Sequence, residues 1–568
     1  MPGGFLGVDI FFVISGFLIT WIIREEQKTF GSFKLGRFLV RRYQRLTPLL
    51  VVITSLVIIG TWRLYPGELS SVREDALGAL TYTENWHQLL GNNSYFNFFE
   101  LSPLRHTWSL AIEEQFYLIW PTTLWFVGRA GRFNRRVTFF LIALLALTLS
   151  LLSRQLFVPG STISPLVTPN HYLTFFGFQV SRIDFIFMST VTRGTSILVG
   201  VCLGILYRPG DFLNSSRPWI GRRTIVCLLV LSLGVIAWAL FEFHVLENQS
   251  LSTNAGFPPL FRWGFAAISI SSACAIVGLS EIFDGGKPVN TLMKPIRWLG
   301  TRSYGIYLVH WPIFQFFRHD QRTSLTVGEF LLLMTGSCAI AEICCLAIER
   351  PFRSSAESHD LRSKLVARLI VCITVVGAVI AIALPVGQEQ LTLREVIEMN
   401  SQDVQKISEL VATTSKETPI AVGDSVMLGA AKSLASRGVR VDAELNRDFN
   451  YLKVVLALIS QDELEGRTFI LHLTNNTQVE SSDLAEIIDT FLSRSSIVVL
   501  NSYVPKMPYD LQNFEAVLEL AQSRPSVVIA DWRSIAQENP HFLLSDGLHL
   551  DESGQSAYAD LIMQAIGK

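Results

Sequence analysis

Ten stretches of mostly apolar residues punctuate the first two thirds of the chain, at 5–23, 46–63, 107–126, 137–153, 189–207, 224–241, 261–280, 303–318, 327–348 and 367–386. Each approaches the roughly 20 apolar residues that a helix needs to cross the hydrocarbon core of a bilayer. The pattern therefore predicts about ten membrane-spanning helices. The polar stretches between them alternate in basic content. The one after the first span holds Arg24, Lys28, Lys34, Arg37, Arg41, Arg42 and Arg45, whereas 242–260 has no Lys or Arg at all. Basic loops stay on the cytoplasmic side, so the alternation places residues 387–568 outside the cytoplasm of a multi-pass plasma-membrane protein.

After a polar stretch at 387–418 the pattern changes. Short β-rich runs at 420–422, 439–441, 469–473, 497–500 and 527–530 alternate with helical ones near 426–436, 450–459, 482–494, 511–523 and 553–566. Alternating β and α units argue for a parallel sheet covered on both faces, and about 150 residues suffice for one core. The expected organisation is a membrane domain over 1–386, a linker over 387–418 and an external α/β domain over 419–568.

Composition agrees with this division. Only 17% of residues are charged, against about 25% in soluble domains, and the mean hydropathy is +0.37. A net charge of −1 gives no electrostatic case for a nucleic-acid partner. All seven cysteines lie in apolar segments and none follows residue 386, so no disulfide framework is expected. There is no zinc-like Cys/His spacing, and no metal is expected.

The chemistry concentrates in two places. In the α/β part, Gly423, Asp424 and Ser425 stand between an apolar strand and a helix. A serine there presents its hydroxyl at the C-terminal edge of the sheet, where open α/β folds bind ligands, and its own N–H suits an oxyanion. A turn followed by a capping serine would look the same. A second element, Asp546 and His549 before the last helix, supplies the base and orienting carboxylate that a serine nucleophile needs. A third, Asn476 at the end of the middle strand, has an amide that an oxyanion could accept from; strand-end asparagines are also common in turns.

In the membrane part, ionisable residues lie in or beside spans: Asp9, Arg41, Arg42, Arg45, His106, Glu113, Glu114, Arg193, His310 and Glu342. Such groups are costly in lipid and usually line a cavity or pathway, although a paired structural charge or a snorkelling end residue gives the same pattern.

The three elements of the outer part resemble the SGNH (GDSL-like) hydrolase superfamily, which implies a three-layer α/β fold. The resemblance gives Ser425 as nucleophile, Asp546 and His549 as acid and base, and Ser425, Asn446 and Asn476 as the oxyanion hole. The family's second-block glycine falls at Asn446, and the glycines around the third-block asparagine are replaced by Thr474 and Thr477. The membrane part resembles the acyltransferase-3 family through GVDIFFVISGFLIT, the run Arg41-Arg42-x-x-Arg45-x-x-Pro48, WSLAIEEQFYLIWP, SYGIYLVHWPI and IERPFR, over about residues 2–353. Together the halves are similar to Gram-positive peptidoglycan O-acetyltransferases. That resemblance implies acetyl-CoA as acyl donor, relay of the acetyl group through Ser425, and a cell-wall glycan as acceptor. It also implies a preceding helix with an arginine and a histidine; the chain starts just after it, and whether the acyl-loading half is active without that helix stays open. The triad alone does not choose between water and a sugar hydroxyl. An O-acetyl esterase, an acetyltransferase for another cell-surface polysaccharide, and a transporter with an external binding module stay open.

Overall fold

The computed structural model describes residues 2–91, 102–129, 134–160, 169–209, 212, 221–244, 256–283, 294–317, 325–353, 361–383, 407–444, 447, 449–457, 459–476, 478–505, 507, 509–544 and 547–567. In their described residues all ten apolar stretches overlap helices: α1 (Gly7–Phe30), α2 (Leu35–Leu64), α5 (Thr107–Arg129), α6 (Arg135–Leu156), α8 (Thr190–Leu206), α9 (Arg222–Glu242), α10 (Phe265–Phe283), α11 (Lys294–Phe317), α12 (Val327–Cys344) and α13 (Leu361–Ala383). Shorter helices α3 (Leu69–Leu80), α4 (Glu84–Leu90) and α7 (Arg182–Met188) lie between them. Among the described residues, eight helical segments are long and apolar enough to cross a membrane. The two outside that group contain α5 and α11, which carry Glu113, Glu114, Arg302 and His310.

Glycines bring α1 against α8. A Cβ at Gly16 would run into the Ile197 carbonyl, one at Gly200 into the Val13 carbonyl, and one at Gly204 into Thr20. Gly200 and Gly204 form the small-xxx-small spacing that lets two helix backbones approach within a membrane. A hairpin of β1 (Tyr172–Phe175) and β2 (Phe178–Ser181) follows α6. Its two turn residues, Phe176 and Gly177, both have positive φ, as a type I′ hairpin turn requires.

The C-terminal part is built on a five-stranded parallel sheet of β3 (Ile420–Gly423), β4 (Arg440–Ala443), β5 (Thr468–His472), β6 (Ser496–Leu500) and β7 (Val527–Ala530), in the order β4-β3-β5-β6-β7. Alternate strand residues feed two apolar clusters. Ala421, Ile470 and Val498 pack with Leu434, Trp532 and Tyr558 on one face; Ile420, Val422 and Phe469 pack with Tyr451, Ile487 and Leu520 on the other. The helix Ile407–Thr413 falls within the stretch expected as a linker, yet it buries Ile407, Leu410 and Val411 in the second cluster. Strand order reverses between β3 and β5, and the crevice beyond their C-terminal ends is where such sheets bind ligands.

Candidate active site

Ser425 and Asn476 follow the two strands that flank this crevice. The chain turns sharply after β3 because Gly423 has no Cβ to strike the Met427 side chain. Asp424 then caps the helix Ser425–Gly429, accepting the Val426 N–H at 2.9 Å. The Asp424 N–H in turn donates to the His472 carbonyl at 3.1 Å, which ties the nucleophile turn to the end of β5. His549 arrives from the other side of the sequence. An isolated antiparallel bridge between Leu543 and Leu550 and a left-handed Gly547 fold the chain back on itself, and the Leu544 N–H donates to the His549 carbonyl at 2.7 Å. The result is a 2.9 Å contact between His549 Nε2 and Ser425 Oγ, with both side chains buried. This is hydrogen-bond distance for a base and a nucleophile. Asp546 and Asn446 lie outside the described residues.

The buried Asn476 donates from Nδ2 to the Arg447 carbonyl at 2.9 Å. An amide nitrogen has two hydrogens, so one remains to donate elsewhere. Arg447 anchors the chain after β4. Its guanidinium meets Asp442 at 2.7 Å and Glu444 at 3.0 Å and lies 3.8 Å over the Tyr451 ring. Asp442 also accepts the Tyr451 hydroxyl and the Ile407 N–H, each at 2.8 Å. Burial works to lower the Arg447 pKa, but the Asp442 charge and its neighbours overcome it and hold the group above its ordinary value. Behind the serine, His472 Nδ1 lies 2.8 Å from the Tyr558 hydroxyl and Nε2 3.1 Å from Asn475 Nδ2. Burial pushes this imidazole below its ordinary range, with Asp424 pulling the other way. Sequence reading missed Arg447 and His472. The available signals were a charged residue next to Asn446 and a polar ring ending the middle strand of the sheet.

The membrane candidates lie in four separate places. Asp9 is fully buried between Arg193, at 3.0 Å, and Ser196, at 2.9 Å, and the Arg193 guanidinium lies 4.2 Å over the Phe265 ring. Glu113 accepts the Ser15 hydroxyl and stands 3.6 Å from Arg42, whose guanidinium lies 3.7 Å over the Tyr117 ring. Glu114 is next to it, and its Oε1 makes no hydrogen bond. Arg41, which pairs with Glu26 at 3.3 Å, and Arg45 join Arg37 and Arg42 around a cavity of about 550 Å³ between α1 and α2, with Glu25 and Glu26 also on its wall. His106 and His310 meet at a third point, their ring centroids 5.6 Å apart, with Tyr307 against both. Glu342 binds Arg302 through both oxygens, at 2.6 and 2.9 Å, as a structural pair.

A bundle of apolar helices with buried charges, joined in sequence to a parallel sheet that holds a serine against a histidine, is the arrangement of a membrane-bound acyl-transfer enzyme. Residues 2–348 match the family model described as "Acyltransferase domain". The chain belongs to this acyltransferase-3 family. Over its whole length it is 27% identical to the peptidoglycan O-acetyltransferase OatA of Listeria monocytogenes, covering 94% of that protein. It is 26% identical to the O-acetyltransferase OatA of Staphylococcus aureus strain MRSA252, covering 92%. Among solved structures, the C-terminal catalytic domain of Streptococcus pneumoniae OatA, with a methylsulfonyl adduct, aligns at 22% identity and a TM-score of 0.25; the match covers 27% of this chain and 94% of that one.

Proposed function

We propose that this protein is a peptidoglycan O-acetyltransferase that passes an acetyl group through a covalent ester on Ser425 to a sugar hydroxyl. In this reading the membrane domain spans the plasma membrane about ten times, and an SGNH-type domain stands outside. Its start moves from 419 to about 407, because the helix Ile407–Thr413 shares the sheet's core. The observation that carries the reading is the 2.9 Å contact between His549 Nε2 and Ser425 Oγ.

The chemistry follows from that pair. His549 takes the Ser425 proton as Oγ bonds to the acetyl carbon, and returns it to the departing donor group as the donor–acetyl bond breaks. A sugar hydroxyl then attacks the ester, gives its proton to His549 and releases Ser425, which recovers the proton. Asp546 orients the imidazole. The negative oxygen formed at each attack is met by the Ser425 N–H at a helix start, by the Asn446 N–H and by the second hydrogen of Asn476 Nδ2. Splitting the transfer in two lowers the barrier of each half.

Acetyl-CoA is the proposed donor substrate on the cytoplasmic side. The cavity between α1 and α2 suits its phosphates, since Arg37, Arg41, Arg42 and Arg45 converge there, and guanidinium groups bind phosphate through paired hydrogen bonds.

The test uses the full chain in detergent, with 4-nitrophenyl acetate as donor and a chitooligosaccharide as acceptor, read by mass spectrometry. Wild type should yield acetylated sugar and Ser425→Ala none. Undiminished sugar acetylation by Ser425→Ala would remove the serine from the mechanism, and acetate as the sole product would make the domain an esterase.

A further inference from the structure

Helices α3 and α4 carry a cluster that the acyl-transfer reading does not use. Glu84 and His87 sit three residues apart on α4 and so share one face. Asp75 comes from α3, which packs against α4 through the turn Thr81–Thr83, where Tyr82 adopts positive φ. One ligand-type atom from each of the three lies within 4.8 Å of the others. His87 Nε2 faces Asp75 Oδ1 at 3.7 Å, too far for a hydrogen bond but a spacing that one shared cation would bridge.

The unpartnered atoms point to a ligand. Glu84 is fully buried; its Oε1 accepts the Gln88 amide at 2.6 Å, while its Oε2 has no hydrogen-bond donor. That oxygen occupies the space where a Cβ at Gly78 would go. His87 Nε2 is shielded from solvent and also makes no hydrogen bond. Asp75 has Oδ2 fixed by the Ser102 hydroxyl at 2.8 Å. Neutral donors thus orient one oxygen of each carboxylate, as the outer partners of metal ligands do. Arg105 is the neighbouring cation, close enough to act on the Glu84 charge; it offers no lone pair and cannot replace a ligand.

We propose that Asp75, Glu84 and His87 bind one divalent transition-metal cation. Two carboxylates and an imidazole suit Zn²⁺, Mn²⁺ or Fe²⁺, and a Glu-x-x-His pair on one helix is a recurrent way to present two such ligands. The ion is a brace. Ser102 holds Asp75 and, through its carbonyl, the Trp311 indole at 2.9 Å, and Gln88 holds the Arg105 carbonyl at 3.1 Å. The cluster therefore fixes the segment that leads into His106. No metal was expected because the cysteine and histidine spacings of zinc modules are absent, and this ligand set contains one histidine and no cysteine.

The experiment takes the full chain in detergent without a histidine tag, strips it with a chelator and loads it separately with ZnCl₂ and MnCl₂. Metal per chain is measured after gel filtration, together with the melting temperature. Zn²⁺ also suits the chain's free cysteines, whereas Mn²⁺ prefers oxygen ligands and discriminates against thiolates. Wild type should hold one Mn²⁺ or Zn²⁺ that raises its melting temperature. Glu84→Gln, which keeps the Gln88 contact, and His87→Ala, at a partly exposed position, should each weaken binding by at least tenfold and abolish the thermal gain. Loss of an outer partner alone costs about 10–100-fold. Absence of stoichiometric metal in wild type, or undiminished binding in His87→Ala, overturns the proposal even if Glu84→Gln fails to fold.

Discussion

Replacing Asn476 by alanine separates two roles that one amide can hold. Its Nδ2 donates to the Arg447 carbonyl at 2.9 Å from a buried position. If bracing that segment is its whole contribution, the variant loses one neutral hydrogen bond, about 0.5–1.5 kcal/mol net, and strands a buried acceptor at about 1–3 kcal/mol. The loss then appears in stability, as a lower melting temperature, and the folded fraction turns over at close to the wild-type rate. If the second hydrogen meets the oxyanion, the effect falls on the transition state. Loss of one such donor costs about 10²–10³-fold in kcat, roughly 2.7–4 kcal/mol, with little change in KM for the ester. The two costs overlap in size but are read by different measurements. The assay is 4-nitrophenol release from 4-nitrophenyl acetate by the full chain in detergent, well below the variant's melting temperature, with kcat and KM separated. A folded variant that keeps more than about a tenth of the wild-type kcat refutes the oxyanion role.

Arg447→Met leaves Asp442, which is 1% exposed, without its cation. Breaking a buried pair costs about 3–5 kcal/mol, and because Asp442 keeps Tyr451 and the Ile407 N–H the lower end is expected; a denaturation shift below about 1 kcal/mol would contradict the clamp. Gly200→Leu should separate α1 from α8, since even a Cβ there strikes the Val13 carbonyl. The monodisperse peak in detergent gel filtration should be lost, and an unchanged peak would disprove the close packing. His472 is held below its ordinary pKa in the fold. The unfolded chain therefore binds a proton below about pH 6.5 that the folded chain refuses, so stability falls as pH drops through that value. His472→Asn should flatten the melting-temperature profile between about pH 5 and 7, and an unaltered profile would show that another group sets it.

Among the described residues, apolarity located every long helix but not its ends. The stretch 46–63 lies inside α2, which runs from Leu35 to Leu64. The extra turns carry Arg37, Arg41, Arg42 and Arg45, residues that hydropathy discounts and that wall the cavity. The β1–β2 hairpin went unforeseen because its turn is Phe176-Gly177 in an aromatic run, without an asparagine or aspartate to mark it. The serine–histidine contact was legible because each residue sits in a short motif whose chemistry needs the other. Arg447 was not. An aspartate in a strand, such as Asp442, reads as a solvent-facing position, and only the folded chain shows it buried beneath a guanidinium and a tyrosine. In the membrane half, nearness in sequence misled. His106 and Glu113 are seven residues apart, which on a helix is about 10 Å along the axis. They end at different sites, one against His310 and the other against Arg42.

The geometry of those charges argues for a division of labour. Asp9 has one oxygen on Arg193 and the other on Ser196, both at hydrogen-bond distance, with aromatic rings around the guanidinium. A pair so well matched is costly to open, because either partner left alone is an uncompensated charge in a low-dielectric interior. It holds α1 to α8, while Arg193 Nε and Nη1 are buried without a hydrogen bond. Arg42 and Glu113 stand 3.6 Å apart, beyond a good hydrogen bond, with Arg42 Nε and Glu114 Oε1 both lacking hydrogen-bond partners. Of these groups Arg42 lines a cavity, and here an incoming anion could replace a loose contact without breaking a tight one. The physical difference between the two pairs, both of which read from sequence as a charge in a span, is that both oxygens of Asp9 are held by direct hydrogen bonds, whereas Arg42 stands off from Glu113 and lines a cavity.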